Sequence, residues 1–132
     1  MSNTRKPAIR NTYRTGFLRS PVWFARRDRW FRVALDWQGE LRCAACLQTA
    51  TKRRLELHHL DYAGVTFSEG RWHAREQHDD LVALHPYCHE LLHRLIDRDV
   101  VLSRHRNRRN GSLLALSRLQ HKLAQRRREK TA

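Results

Sequence analysis

Acidic side chains are scarce in this chain: 13 Asp and Glu stand against 27 Lys and Arg in 132 residues, a formal net charge of +14. A charge balance so one-sided suits a polyanionic partner. Long apolar runs are lacking as well. Met1–Arg19 contains none, so neither a signal peptide nor a membrane span is expected there. Its Arg5, Lys6, Arg10 and Arg14 suggest a loosely ordered basic arm over residues 1–19. No glycine-rich phosphate loop is present, and no internal repeat beyond a pair of short knuckles. The three cysteines are spaced for a metal rather than for bridges, which with no export signal points to a reducing cytoplasm. At 15.8 kDa the chain makes one small domain plus extensions, with a core too small to be generously stable unaided.

Histidine, by contrast, is concentrated. Seven of the nine lie between Leu57 and His93. In PYCHELLH the gap from His89 to His93 is one helical turn, so both imidazoles leave one face, about 6 Å apart along the axis. Two neutral imidazoles so placed can chelate a divalent cation. Pro86 suits the first helical position, and Leu91, Leu92 and Leu95 give the helix an apolar side. Upstream, RLELHHLDY alternates and reads as a strand. Side chains alternate across a strand, so His58 and His59 must point to opposite faces. One can join His89 and His93 on a metal; the other is left to move a proton.

Cys43-Ala-Ala-Cys46 is a short knuckle, and His85-Pro-Tyr-Cys88 repeats its spacing with His in the first place. Together they offer three thiolates and one imidazole, a tetrahedral Cys3His set for structural zinc. A Cys46–Cys88 disulfide or three inert core cysteines are the alternatives. Such a zinc would pin the start of the helix carrying His89 and supply stability that the small core lacks.

Ser20-Pro21 and Gly39 bracket a helix of about eighteen residues. Phe24, Phe31 and Leu35, with Ala34 and Trp30 nearby, form its expected buried stripe, leaving Arg26, Arg27, Arg29 and Arg32 for solvent or phosphate. Ala63–His78 reads as a polar loop without regular period, and His73 and His78 as surface histidines. Leu81–Leu84 is a short apolar run that would pair with the first strand and complete a ββα unit; Asp79 and Asp80 before it are a site feature, a helix cap or solvated charges. The metal-bearing helix is expected to end at Asp97–Asp99, followed by a basic linker, SRHRNRRNGS. Ser112 then caps a last helix with Leu113, Leu116, Leu119 and Leu123 on its apolar face. The division expected is 1–19, 20–98 and 99–132.

Charge is unevenly spread. Residues 1–42 carry ten basic and three acidic side chains, residues 94–132 twelve and three, and residues 43–93 five and seven. Basic flanks would hold nucleic acid, double-stranded DNA first, and present it to the middle; Arg26, Arg27, Arg104, Arg106, Arg108 and Arg109 are the candidate contacts.

From about Tyr13 to His93 the chain resembles the HNH endonucleases, which have a ββα-metal active site and a zinc-binding double knuckle. The resemblance is carried by Cys43xxCys46, LELHHLDY and DDLVALHPYCHELLH, and by FLRSPVWFARRDRWFRVALDWQGELRC, similar to the helix that commonly precedes the first knuckle. It implies a small α+β fold: a ββα-metal core stabilised by a zinc knuckle and flanked by N- and C-terminal helices. It implies His59 as general base, His58, His89 and His93 as ligands of a catalytic divalent ion (Mg2+, Mn2+, Ni2+ or Zn2+), and Asp80 as the residue that fixes the loop and the base. Asp80 stands where the name has Asn, and His85 where the common pattern has Cys. The chemistry implied is phosphodiester hydrolysis to a 5′ phosphate and 3′ hydroxyl, the ion stabilising the departing 3′ oxygen. A zinc-stabilised DNA-binding module without catalysis is the alternative; it needs only the knuckles and basic flanks.

Overall fold

The computed structural model describes residues 16–102 and 107–131. Expectations for residues 1–15, and those for Arg104 and Arg106, fall outside them.

Helix α1 spans Pro21–Gln38. Its start is built as the sequence predicts: the Ser20 hydroxyl accepts from the Trp23 amide at 3.3 Å, and Pro21 takes the first helical position. Gly39 ends it with φ of 77°, a left-handed conformation that suits glycine. Its buried face keeps Trp30, Phe31 and Ala34 of the predicted stripe but not Phe24 or Leu35. Trp23, Arg26, Trp30, Phe31 and Ala34 face the core, whereas Phe24 and Leu35 are about half exposed, at 50% and 47%. Two apolar rows one residue apart compete on this helix, and the row with two indoles buries more surface. Phe17, expected in the basic arm, is fully buried in a single 3-10 turn, Phe17–Arg19, and meets Trp23 at 5.4 Å between ring centroids.

Strand β1 is Glu56–His59. It pairs antiparallel with β4, Leu81–Leu84, in the register Glu56 to Leu84 through His59 to Leu81. Between them the supposed irregular loop is a hairpin, β2 (Val65–Ser68) and β3 (Arg71–Ala74). Its two-residue turn has Glu69 at φ 53° and Gly70 at φ 74°. Both central residues of such a tight turn need positive φ, a demand that Gly70 meets without strain. Phe67 and Trp72 form its cross-strand ring pair at 5.0 Å, and Trp72 passes the contact on to Phe17. His78, in the 3-10 turn His78–Asp80, stacks on Trp30 at 4.8 Å and is thus a packing residue rather than a purely surface one.

Helix α2 runs Pro86–Leu102, past the expected end at Asp97–Asp99. No glycine or proline interrupts it there, and Ile96 and Asp99 are buried. Helix α3, Arg108–Thr131, starts one turn before the predicted cap. Asn107 caps it, accepting from the Asn110 amide at 2.8 Å, so Gly111 lies inside the helix and Ser112 is fully buried. Ala115, Leu116 and Leu119 face inward, and Leu113 faces solvent. α3 packs on α2. Among the described residues the result is a small α+β fold of three α-helices and two two-stranded antiparallel sheets. Among the described residues no helix is long and apolar enough to cross a membrane.

Candidate functional site

Two groups of ligating side chains flank the start of α2. The first is Cys43, Cys46, His85 and Cys88, whose donor atoms all lie within 4.8 Å of one another. All three thiols are free. The Cys43–Cys46 knuckle closes with the Leu47 amide on the Cys43 carbonyl at 2.9 Å, Leu47 taking φ of 65°. Cys46 Sγ lies 3.3 Å from His85 Nδ1. A tetrahedral zinc with its usual bond lengths sets sulfur and nitrogen about 3.6 Å apart, so the pocket has the right size.

The electrostatics agree. Burial works against a Cys43 thiolate, but the amides of Cys46, His85 and Ala45 outweigh it and bring the thiol below its ordinary value. Cys88 is pushed up to about 12, by burial first and by the charge of Cys43 next, and burial raises Cys46 as well. One sulfur therefore favours charge and opposes it in its neighbours, a conflict that a bound dication removes. This Cys3His group can hold a metal such as zinc.

The second group is His58, His89 and His93, again with donor atoms within 4.8 Å. His58 Nδ1 is 3.2 Å from His89 Nε2, which is 3.0 Å from His93 Nε2. Nitrogens on a tetrahedral zinc sit about 3.3 Å apart. Each of two rings has a partner on its far nitrogen: His58 Nε2 lies 3.1 Å from Ser112 Oγ, and His89 Nδ1 lies 3.1 Å from Glu56 Oε1. Burial, then the nearby Arg108 charge, lowers the His58 pKa to about 2, so this ring stays neutral, as a ligand must be. Three convergent imidazoles, two of them with supported far nitrogens, fit a divalent ion.

His59, on the other face of β1, is 3% exposed and has different company. Its Nε2 bonds Glu76 Oε2 at 2.7 Å, and that carboxylate is fully buried. The ring stacks on Tyr62 at 4.9 Å and lies against Trp23 at the same distance. Its carbonyl accepts from Arg108 Nε at 3.0 Å. A cleft of about 470 Å³ brings the two faces together, lined by His58, His59, Tyr62, His89, His93 and Arg108 among others.

Asp80 is buried in the turn before β4. Its Oδ2 accepts from the Gln77 amide at 3.1 Å and its Oδ1 pairs with Arg109, while its carbonyl accepts from Leu60 at 2.7 Å, so it fixes the loop. The carboxylate on His59 is Glu76, a residue that sequence reasoning missed. Of the arginines expected to meet nucleic acid, Arg26 is buried, its Nε donating to the Glu76 carbonyl at 2.9 Å. Arg108 lies over the Tyr62 ring at 4.2 Å and donates to its hydroxyl, and Arg109 pairs with Asp80 and Asp61. Arg27 lies over Phe31, 5.1 Å from the ring centre. Ser112 and Glu56 were missed too. Only Glu56 left a signal: it shares the His58 face of β1 by strand alternation.

Fold and site together define a small α+β protein with two candidate metal centres, one rich in thiols and one in imidazoles. Comparison with protein-family models, with curated proteins and with solved structures finds no match.

Proposed function

We propose that this chain is a metal-dependent endonuclease that hydrolyses phosphodiester bonds of DNA, with His59 as the general base. The observation that carries this reading is the pairing of two unlike histidine environments on one cleft: a convergent trio, His58, His89 and His93, beside a single imidazole bonded to a buried carboxylate.

His58, His89 and His93 would hold a divalent ion, which when bound would stabilise negative charge on the phosphoryl group and the departing 3′ oxygen. The protein's own residues account for the rest. With its Nε2 hydrogen given to Glu76, His59 carries its accepting lone pair on Nδ1 and takes the proton from the attacking water. Glu76 keeps the ring in that tautomer and stabilises the imidazolium as it forms. Tyr62 and Trp23 hold the ring plane. Water oxygen bonds to phosphorus as the bond to the 3′ oxygen breaks, and the departing 3′ oxygen takes a proton from solvent, leaving a 5′ phosphate and a 3′ hydroxyl. Arg108, held in the cleft by Tyr62 and the His59 carbonyl, supplies a cation for the phosphate. The net charge of +14 supports a nucleic-acid substrate. The Cys3His group, with zinc, would fix the start of α2 and hence His89.

The test is cleavage of supercoiled plasmid by the protein and by His59→Ala, each with EDTA, magnesium, manganese, nickel and zinc. Nicking by the wild type that is lost in EDTA, and falls at least about a hundredfold in the variant, is the expected result. Plasmid binding without cutting under every metal would replace this reading with that of a zinc-stabilised DNA-binding module.

A further inference from the structure

Helix α3 lies beyond the stretch that carries the HNH resemblance, yet its first turns reach both histidines of β1. Arg108 Nε donates to the His59 carbonyl at 3.0 Å, Arg109 pairs with Asp80, and Ser112 Oγ lies 3.1 Å from His58 Nε2. Ser112 is fully buried on a face whose next inward residues are Ala115, Leu116 and Leu119. A hydroxyl in such surroundings needs a hydrogen-bond partner, and the His58 ring is one.

A neutral imidazole binds a metal only through the nitrogen without hydrogen, and whatever accepts from the other nitrogen decides which one that is. We infer that Ser112 is a positioning residue of the three-histidine centre: its hydroxyl keeps the His58 hydrogen on Nε2, so that Nδ1 turns a lone pair toward His89 and His93, and α3 is a working part of that centre. Glu56 does the same for His89 from the strand side, at 3.1 Å. The inference rests on the reading of this trio as a metal centre. Without the hydroxyl, a buried N–H loses its acceptor, and the tautomer that aims N–H at the centre gains ground.

The experiment is calorimetric titration with zinc alone, on full-length protein already holding one equivalent in its Cys3His group. Wild type should take up a second equivalent. Ser112→Ala should bind that second equivalent about tenfold or more weakly, with uptake of the first equivalent unchanged. Equal affinity in the variant would overturn the role of Ser112. Nitrogen-15 spectra of the wild type before the second equivalent give an independent check that needs no variant. His58 should show its hydrogen on Nε2; a hydrogen on Nδ1 also overturns the inference. A wild type that accepts no second equivalent removes the metal-centre reading itself, and the Ser112 role with it.

Discussion

Replacing Cys88 by serine tests the thiol-rich group most directly. Cys88 is 4% exposed at the start of α2, one residue before His89. A serine oxygen is a poor zinc ligand, so Cys88→Ser leaves three donors of four. Structural zinc in small sites contributes about 10–16 kcal/mol of apparent binding free energy. If the ligands share this evenly, losing one removes about 3–4 kcal/mol, a large part of the roughly 5–15 kcal/mol that stabilises a domain. For a chain of this size that corresponds to a melting temperature lower by about 10–20 °C. The assay pairs thermal unfolding followed by circular dichroism with zinc content by mass spectrometry. Cys88→Ser should melt between the zinc-loaded and the chelated wild type and hold one tightly bound zinc fewer than wild type. A variant that melts within about 2 °C of wild type and keeps its full zinc content would refute the argument that Cys88 holds a structural ion.

Two further expectations follow from the same geometry. A Cβ on Gly64 would collide with the backbone of Arg75 and Glu76, lying 2.5 Å from the Arg75 carbonyl carbon; Gly64→Ala should therefore cost about 1–3 kcal/mol in urea denaturation, and an unchanged midpoint would mean that the Arg75–Glu76 segment moves aside freely. Zinc binding to the Cys3His group should weaken as pH falls: Cys46 and Cys88 are raised above the ordinary thiol value, Cys88 to about 12, so near neutrality each must release a proton to bind. Chelator competition between about pH 6.5 and 8 should show the affinity rising at least about a hundredfold per unit, and a flat profile would sink the thiolate assignment.

What the sequence revealed was set by short-range chemistry. Ser20, Pro21 and Gly39 define α1 because caps act within a turn of the backbone they serve. The opposite facing of His58 and His59 follows from strand alternation, and the shared face of His89 and His93 from helical pitch. The knuckle spacing marks four donors that the fold brings within 4.8 Å. What stayed hidden depends on contacts between distant segments. Glu76 is seventeen residues from His59, and Ser112 is fifty-four from His58; neither has a local feature that separates it from other polar residues. The β2–β3 hairpin was missed because Phe67 and Trp72 become neighbours only once the turn at Glu69-Gly70 forms. On α1, Trp30, Phe31 and Ala34 were legible as buried, but Trp23 and Arg26 take the places expected of Phe24 and Leu35, since two periodic apolar rows overlap there and only the packing partner selects between them.

The four-residue pairing of β1 with β4 sets where this chain can tolerate insertions and deletions. A side-chain direction that alternates at every residue makes chain length between Leu55 and His59 a parity variable. Deleting one residue between Leu55 and His58 would exchange the surroundings of the two histidines, presenting the Glu76-bonded ring to α2 and its neighbour to Trp23, with nearly the same composition. Two residues would restore the facing but draw Leu55 out of the core. The tip of the β2–β3 hairpin carries no such parity, because Ser68, Glu69 and Gly70 are exposed and touch neither metal group. Length changes in functional variants should therefore gather at residues 68–71 and avoid 55–59.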